Sequence, residues 1–253
     1  MQLTSQTLTK PANRVARPEN RGIAGSRALH TLSTLLFASS VCVAMLVVRF
    51  LWAGNLHLYG LFENLLLAWI PLSVALLIRY MPILAGWRRL WFWGALFIWI
   101  LFFPNAFYLV TDLSHMSQYP TDGVAPWFDM LMTTCFAAGG IFLGCLSLYL
   151  MHLFVRQRFG SLMGWTFAVG MLAFGSFGIY MGRVLRLNSW DIVAHPFTLI
   201  GEISSLSQST SLGEAIAFCI GFFFFSLAVY TFVISIARLH EDNATRETSL
   251  KRG

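Results

Sequence analysis

Charged side chains are scarce in this chain. Asp, Glu, Lys and Arg make up 11% of its 253 residues, less than half the share of about 25% that is typical of soluble domains. So few charged groups cannot provide the polar surface of a water-soluble fold. The composition therefore excludes an intrinsically disordered chain, a secreted disulfide scaffold and a cytosolic enzyme.

Cysteine patterns and familiar catalytic motifs are also missing. The four cysteines lie singly inside apolar runs, so the sequence predicts neither a disulfide framework nor a cysteine zinc site. There is no P-loop, no HExxH zinc motif and no GxSxG nucleophile turn. The net charge of +6 is spread between apolar runs rather than gathered in a patch, so nucleic acid is not a predicted partner.

What the chain has in quantity is apolar sequence, which accounts for 57% of its residues. A helix needs about 20 apolar residues to cross the core of a bilayer, and six runs come near that length. They are Thr31–Trp52, Leu61–Ile78, Leu90–Phe103, Trp127–Met151, Leu162–Met181 and Ala215–Ala237. The sequence therefore predicts an all-α integral membrane protein, a bundle of about six transmembrane helices within residues 29–238. We expect the third helix to continue past a kink at Pro104.

The distribution of basic residues predicts the orientation of this bundle. All 17 Lys and Arg except Arg49, Arg183 and Arg186 lie in or next to the terminal tails, or near the second and fourth connections. Because basic segments stay in the cytoplasm, both termini are predicted to be cytoplasmic. Residues 1–28 are then a disordered basic cytoplasmic tail, with an organellar transit peptide as the alternative, and residues 239–253 form a second cytoplasmic tail.

Two pairs of glycines are predicted to bring the fourth and fifth helices close together. Gly140 precedes Gly144, and Gly178 precedes Gly182, each by four residues. Small residues at this spacing let helix backbones approach closely in membranes. We interpret both pairs as packing features only.

Polar residues recur on one face at the end of the third helix. Asn105, Tyr108, Asp112 and His115 follow one another at steps of three, four and three, which places them in one stripe on a helix. The stripe indicates either a row of hydrogen-bonding groups facing a cavity at the outer membrane boundary, or an amphipathic segment lying among the lipid headgroups.

Two arginines directly after the fifth helix form the strongest candidate site. Arg183 and Arg186 lie one helical turn apart, on the side where positive charge is disfavoured. Two guanidinium groups at this spacing can clamp a phosphate or a carboxylate. The alternative is a structural network in which these arginines neutralise nearby acids. The predicted ligand-binding set is Arg183, Arg186, Asn105, Tyr108, Asp112, Asn188 and Asp191.

A divalent metal is a second possibility at the same boundary. Asp112 and His115 are three residues apart, and Asp129 falls in the first turn of the fourth helix. Together with Glu63 they would supply ligands for a metal that activates a water molecule. For Asp129, the competing interpretation is an acid favoured by the helix dipole in a first turn.

Four stretches carry a family resemblance: Asn64–Pro71, Phe103–His115, Trp127–Asp129 and Gly178–Asp191. The second contains the motif PNAFYLVTDLSH and the fourth the motif GRVLRLNSWD. Together they resemble an uncharacterised bacterial family of multi-pass membrane proteins, a domain of unknown function. The chain departs from the family pattern at Phe107, where proline is usual, and at Leu187, where tryptophan is usual. The resemblance implies the bacterial inner membrane, and it implies no activity, cofactor or catalytic residue.

Three functions are open from the sequence. The first is binding or transport of an anionic headgroup or a small solute at a polar extracytoplasmic site. The second is a membrane-embedded, metal-dependent hydrolase or transferase that acts on a lipid-linked substrate. The third is a structural or assembly subunit. The lipid bilayer is the predicted partner in each case, and the sequence leaves the oligomeric state open.

Overall fold

The computed structural model describes residues 18–56, 58–80, 87–114, 123–184 and 212–250 of the chain, and the side chains within 29–56, 58–79, 89–114, 123–184 and 212–237. Six helices account for nearly all of these residues, and the described ranges contain no strand. The helices are α1 (Pro18–Ala53), α2 (Tyr59–Tyr80), α3 (Trp87–Thr111), α4 (Pro126–Phe159), α5 (Ser161–Arg183) and α6 (Leu212–Leu250).

Every one of these helices carries a stretch long and apolar enough to cross a membrane. The stretches are Leu29–Ala53, Tyr59–Arg79, Arg89–Ser114, Pro126–Phe159, Ser161–Arg183 and Leu212–Ala237. Each overlaps one of the six predicted runs and extends beyond it. The prediction of an all-α fold is therefore confirmed, and the chain is a multi-pass membrane protein.

α3 continues through Pro104 as far as Thr111, as the apolar residues after the proline predicted. Proline leaves the carbonyl four residues earlier without its helical partner, and membrane helices tolerate this where neighbouring helices pack around the site. Phe107, three residues after this proline, is helical and buried, so the helix continues beyond the proline.

The centre of the bundle is formed by α2, α3 and α4, which pack against one another. α5 packs on α3 and α4, α6 packs on α5, and α1 packs mainly on α4. α1 and α6 are peripheral, since only 11% of the most apolar window of each is buried, against 39–50% in the other four. Their exposed faces carry large apolar side chains such as Leu51, Phe224 and Phe232, which a bilayer would cover.

The glycines of α4 and α5 do allow close approach of helices, as predicted, but the helix that they contact is α3. A Cβ added to Gly144 would lie 2.7 Å from a ring carbon of Phe107, and one added to Gly178 would lie 2.7 Å from Cγ of Pro104. Small residues on α4 and α5 therefore let each of these helices approach α3 from its own side. This packing fixes the position of the segment of α3 that leads to the polar stripe.

Candidate functional site

Two arginine–aspartate pairs lie at one end of the helix bundle, where α1, α3 and α5 end and α2 and α4 begin. We call this the ion-pair end. Ionisable side chains near a bilayer core are costly, so they pair with one another or mark a functional path. Each pair joins two helices that are not adjacent in sequence, α1 with α4 and α3 with α5.

The first pair joins the last residue of α5 to the end of α3. Nη1 of Arg183 donates to Oδ1 of Asp112 at 3.0 Å. Nη2 donates to the carbonyl oxygen of Thr111 at 2.8 Å and to Oγ of Ser114 at 3.2 Å. The guanidinium thus lies at the carboxyl end of α3, where the helix dipole favours a cation.

Asp112 extends this contact to α2, because its Oδ2 accepts a hydrogen bond from Nδ2 of Asn64 at 3.2 Å. Three helices therefore meet at one carboxylate. Tyr108, one turn earlier on α3, lies beside the guanidinium of Arg183, whose central carbon is 5.6 Å from the ring centre. This is a cation–π distance, and the Tyr108 hydroxyl lies 3.5 Å from Nη1.

The second pair joins α1 to α4. Nε of Arg49 donates to Oδ1 of Asp129 at 3.2 Å, and Nη1 donates to Oδ1 of Asn55, also at 3.2 Å. The hydroxyl of Thr133 donates to the carbonyl oxygen of Asp129 at 2.8 Å, within the first turns of α4. A second polar attachment of α1 is the hydrogen bond from Nε1 of Trp69 on α2 to Oγ of Ser39, at 3.1 Å.

The two pairs differ in their access to solvent. The side chains of Arg49 and Asp129 are 0% and 5% exposed, whereas those of Arg183 and Asp112 are 14% and 11% exposed. A partly exposed ion pair is easier for a ligand to reach than a fully buried one, so Arg183 and Asp112 are the candidate site.

Of the residues predicted to bind a ligand, the structure brings Arg183, Asp112 and Tyr108 into contact. Asn105 is half-buried on α3, one turn before Tyr108. The remaining members of the predicted set lie outside the described residues; they are Arg186, Asn188 and Asp191. Asn64 was missed in this set, although its place in the first turns of α2 puts it at the same end of the bundle.

Within the part of the chain that the structure describes, the proposed metal ligands do not lie close to one another. Asp112 contacts Arg183 and Asp129 contacts Arg49, so each carboxylate has a guanidinium where a metal would bind. Among the described residues, no three His, Cys, Asp or Glu side chains are grouped closely enough to hold an ion. His115 lies outside those residues, so the metal site stays a prediction.

One alternative from the sequence is a structural network in which Arg183 and Arg186 neutralise nearby acids. Arg183 does contact Asp112, but the partner of Asp129 is Arg49, which the sequence did not single out as a site residue. The sequence does contain a signal for the role of Arg49. It is an ionisable residue at the end of an apolar span, and such a residue requires a buried partner.

Sequence reasoning also missed a polar contact at the opposite end of the bundle. Nδ1 of His152 on α4 lies 2.9 Å from the hydroxyl of Tyr230 on α6, and both residues are buried. The ring of Trp165 packs edge-on against the imidazole, with ring centres 4.9 Å apart. This cluster joins α6 to α4, and nothing in the sequence connects two residues 78 positions apart.

Comparison with known proteins places most of this bundle in one family. A family model described as "Protein of unknown function (DUF1361)" matches residues 63–229, about two thirds of the chain. The matched segment includes Asp112, Asp129 and Arg183, and Arg49 precedes it. No curated protein and no solved structure matches the chain.

Proposed function

Because the chain belongs to the DUF1361 family, whose function is unknown, we propose a function from the geometry of the ion-pair end. The protein binds a singly charged phosphate group there, carried by a lipid headgroup or by a small solute. The observation that carries this proposal is the ion pair of Arg183 and Asp112, whose side chains are 14% and 11% exposed, in contrast to the buried pair of Arg49 and Asp129.

The chemistry around Arg183 suits a phosphate group. A planar guanidinium can present two parallel N–H donors to phosphate oxygens. The hydroxyls of Tyr108 and Ser114 lie within 3.5 Å of its terminal nitrogens and can turn to donate to an anion. Arg186 follows three residues later and would add a second positive charge.

The distribution of exposed basic residues supports a site that opens away from the cytoplasm. Exposed basic residues lie at the end opposite the ion pairs, namely Arg79, Arg89, Arg156 and Arg158. Basic segments stay in the cytoplasm, so the ion-pair end would face outward and both termini inward. With the family resemblance, this orientation favours the bacterial inner membrane as the location.

Binding of two phosphodiester probes to the purified protein in neutral-lipid nanodiscs tests the proposal. Dimethyl phosphate represents a free solute, and short-chain phosphatidylglycerol carries the same group on a lipid. We expect Arg183→Gln to weaken binding by about 10–100-fold, since a hydrogen bond to a charged group contributes about 1.5–3 kcal/mol. Binding of phosphatidylglycerol alone would identify a lipid headgroup as the ligand, and binding of both would identify the phosphate group itself.

Two further variants separate loss of binding from loss of folding. Arg183→Lys keeps the positive charge beside Asp112 but removes the planar pair of donors, so we expect folded protein with about tenfold weaker binding. Arg89→Gln removes an exposed charge at the opposite end of the bundle and should bind as the unmodified chain does. If Arg183→Gln and Arg183→Lys fold and bind both probes unchanged, the proposal is wrong and the pair serves only to hold α3 to α5.

A further inference from the structure

Sulfur-bearing side chains lie on the faces of α1 and α4 that pack against each other. Each helix carries one cysteine and one methionine, and on each helix the two are three residues apart, which puts them on one helix face. In the sequence each cysteine stands alone, so only the pairing of the helices brings the two couples together. We call this set the sulfur cluster; its members are Cys42, Met45, Met132 and Cys135.

Two contacts at the ion-pair end fix how α1 and α4 align. Nε of Arg49 donates to Oδ1 of Asp129 at 3.2 Å, and the rings of Trp52 and Phe128 lie with their centres 5.9 Å apart. The helices run in opposite directions, because α1 ends where α4 begins. Residues that are equally many turns from these contacts therefore lie at the same depth in the bundle.

The sulfur cluster occupies the next turns of both helices. A helix rises about 1.5 Å per residue, which puts Met45 and Met132 each about 5 Å from the level of the ion pair. Cys42 and Cys135 lie one turn deeper on their helices, at about 10 Å by the same rise. The two thiols are close enough to interact electrostatically, so the cysteines face each other across the contact between the helices.

The cluster is largely buried. Cys42 and Met132 are 2% and 0% exposed, and Met45 and Cys135 are partly buried against the same core. Gly139, one turn beyond Cys135 on α4, is also buried, yet a Cβ added there would meet no atom within 4 Å. The helices therefore leave an unfilled space next to the cluster.

This set of ligands is typical of one kind of metal ion. Thiolate and thioether sulfurs are soft ligands that select Cu(I), whereas hard divalent ions take oxygen ligands. Among the described residues, no third His, Cys, Asp or Glu joins the two cysteines. A monovalent ion is also neutralised by a single thiolate, so it is less costly to bury among apolar helices than a divalent ion.

We propose that the sulfur cluster binds one Cu(I) ion between α1 and α4. On binding, one cysteine thiol releases its proton to solvent, and the resulting thiolate neutralises the ion. The sulfurs of the other cysteine and of the two methionines complete the coordination, and the bound ion joins the peripheral α1 to the centre of the bundle. The site uses none of the residues of the proposed phosphate site, so the two proposals stand or fall separately.

Competition for Cu(I) with the coloured chelator bathocuproine disulfonate tests this site. The purified chain is held in neutral-lipid nanodiscs with ascorbate and without oxygen, so that the copper stays Cu(I). We expect the chain to take one Cu(I) from the chelator and to keep it in excess Zn(II). X-ray absorption of the loaded, unmodified chain should show at least two sulfur neighbours of the copper and neither oxygen nor nitrogen.

Substitutions assign the ion to the cluster. Loss of a supporting group around a metal site costs about 10–100-fold in affinity, so Cys42→Ala and Cys135→Ala, which remove direct ligands, should each weaken binding by about 100-fold or more. Met132→Leu nearly keeps the side-chain volume and should weaken binding by about tenfold, the lower end of that range. Cys145→Ala removes another buried cysteine of α4, 1% exposed and outside the cluster, and should bind Cu(I) as the unmodified chain does.

Several outcomes overturn the inference. The first is a folded, unmodified chain that takes no Cu(I) from the chelator. The second is Cu(I) binding that persists in folded Cys42→Ala and Cys135→Ala, or that is lost in folded Cys145→Ala, since the ion would then lie elsewhere. If the cysteine variants do not fold, the X-ray absorption of the unmodified chain decides, because oxygen or nitrogen next to the copper contradicts a site built from sulfur.

Discussion

Asp129→Leu is expected to lower the melting temperature of the protein by about 6–20 °C. The substitution removes the carboxylate to which Nε of Arg49 donates at 3.2 Å, and the side chain of Arg49 is 0% exposed. Breaking a buried ion pair from one side costs about 3–5 kcal/mol, and each kcal/mol corresponds to about 2–4 °C in a chain of this size. The melting temperature is measured in detergent as the temperature at which half of the monodisperse protein is lost.

The double variant Arg49→Met/Asp129→Leu supplies the decisive comparison. Replacing both partners of a buried pair by apolar side chains is often neutral or stabilising, so we expect a melting temperature close to that of the unmodified chain. Glu63→Gln, an exposed acid at the same end, serves as the control and should change little. Two results would contradict a stabilising role for this buried ion pair. One is an Asp129→Leu variant as stable as the unmodified chain, and the other is a double variant as unstable as Asp129→Leu.

The second large effect is expected at the contact between α3 and α4. Gly140→Val would place its Cβ against the backbone carbonyl of Ala106 and the side chain of Leu109. A backbone carbonyl in a helix cannot move aside as a flexible side chain can. Overpacking of this kind costs about 1–3 kcal/mol or more, so we expect the melting temperature to fall by about 2–12 °C.

The neighbouring glycine provides a matched control for this prediction. A Cβ at Gly139 would meet no atom within 4 Å, so Gly139→Ala should be tolerated with little change in melting temperature. Gly140→Ala, which already introduces the obstructing Cβ, should be less stable than Gly139→Ala. Equal stability of the two alanine variants would show that α3 does not approach α4 at this point.

The helices themselves were predictable because their signal is local. Each span is a run of apolar residues of bilayer length, and the stripe from Tyr108 to Asp112 follows from helical periodicity alone. Arg183 was predicted as a site residue because it is a basic residue on the side of the membrane where such residues are rare. These inferences need only the sequence within one helix and its position among the others.

The partners of these residues could not be predicted in the same way. The spacing of Gly140 and Gly144 indicates close approach, but it does not say whether the approaching helix is α3 or α5. Arg49 and Asp129 are 80 residues apart, and the periodicity of α1 says nothing about which helix its polar residue faces. Pairing between helices depends on the packing of the whole bundle, which no single stretch of sequence encodes.

The proposed site requires the ion-pair end to face away from the cytoplasm, since a ligand can reach Arg183 only from the side to which the site opens. Labelling with a membrane-impermeant maleimide in intact cells measures this direction, in a chain whose four native cysteines are replaced by serine. We predict that Glu63→Cys, exposed at the ion-pair end, is labelled in intact cells. Arg158→Cys, exposed at the opposite end, should be labelled only after lysis. The reverse pattern would place the site in the cytoplasm and contradict the account.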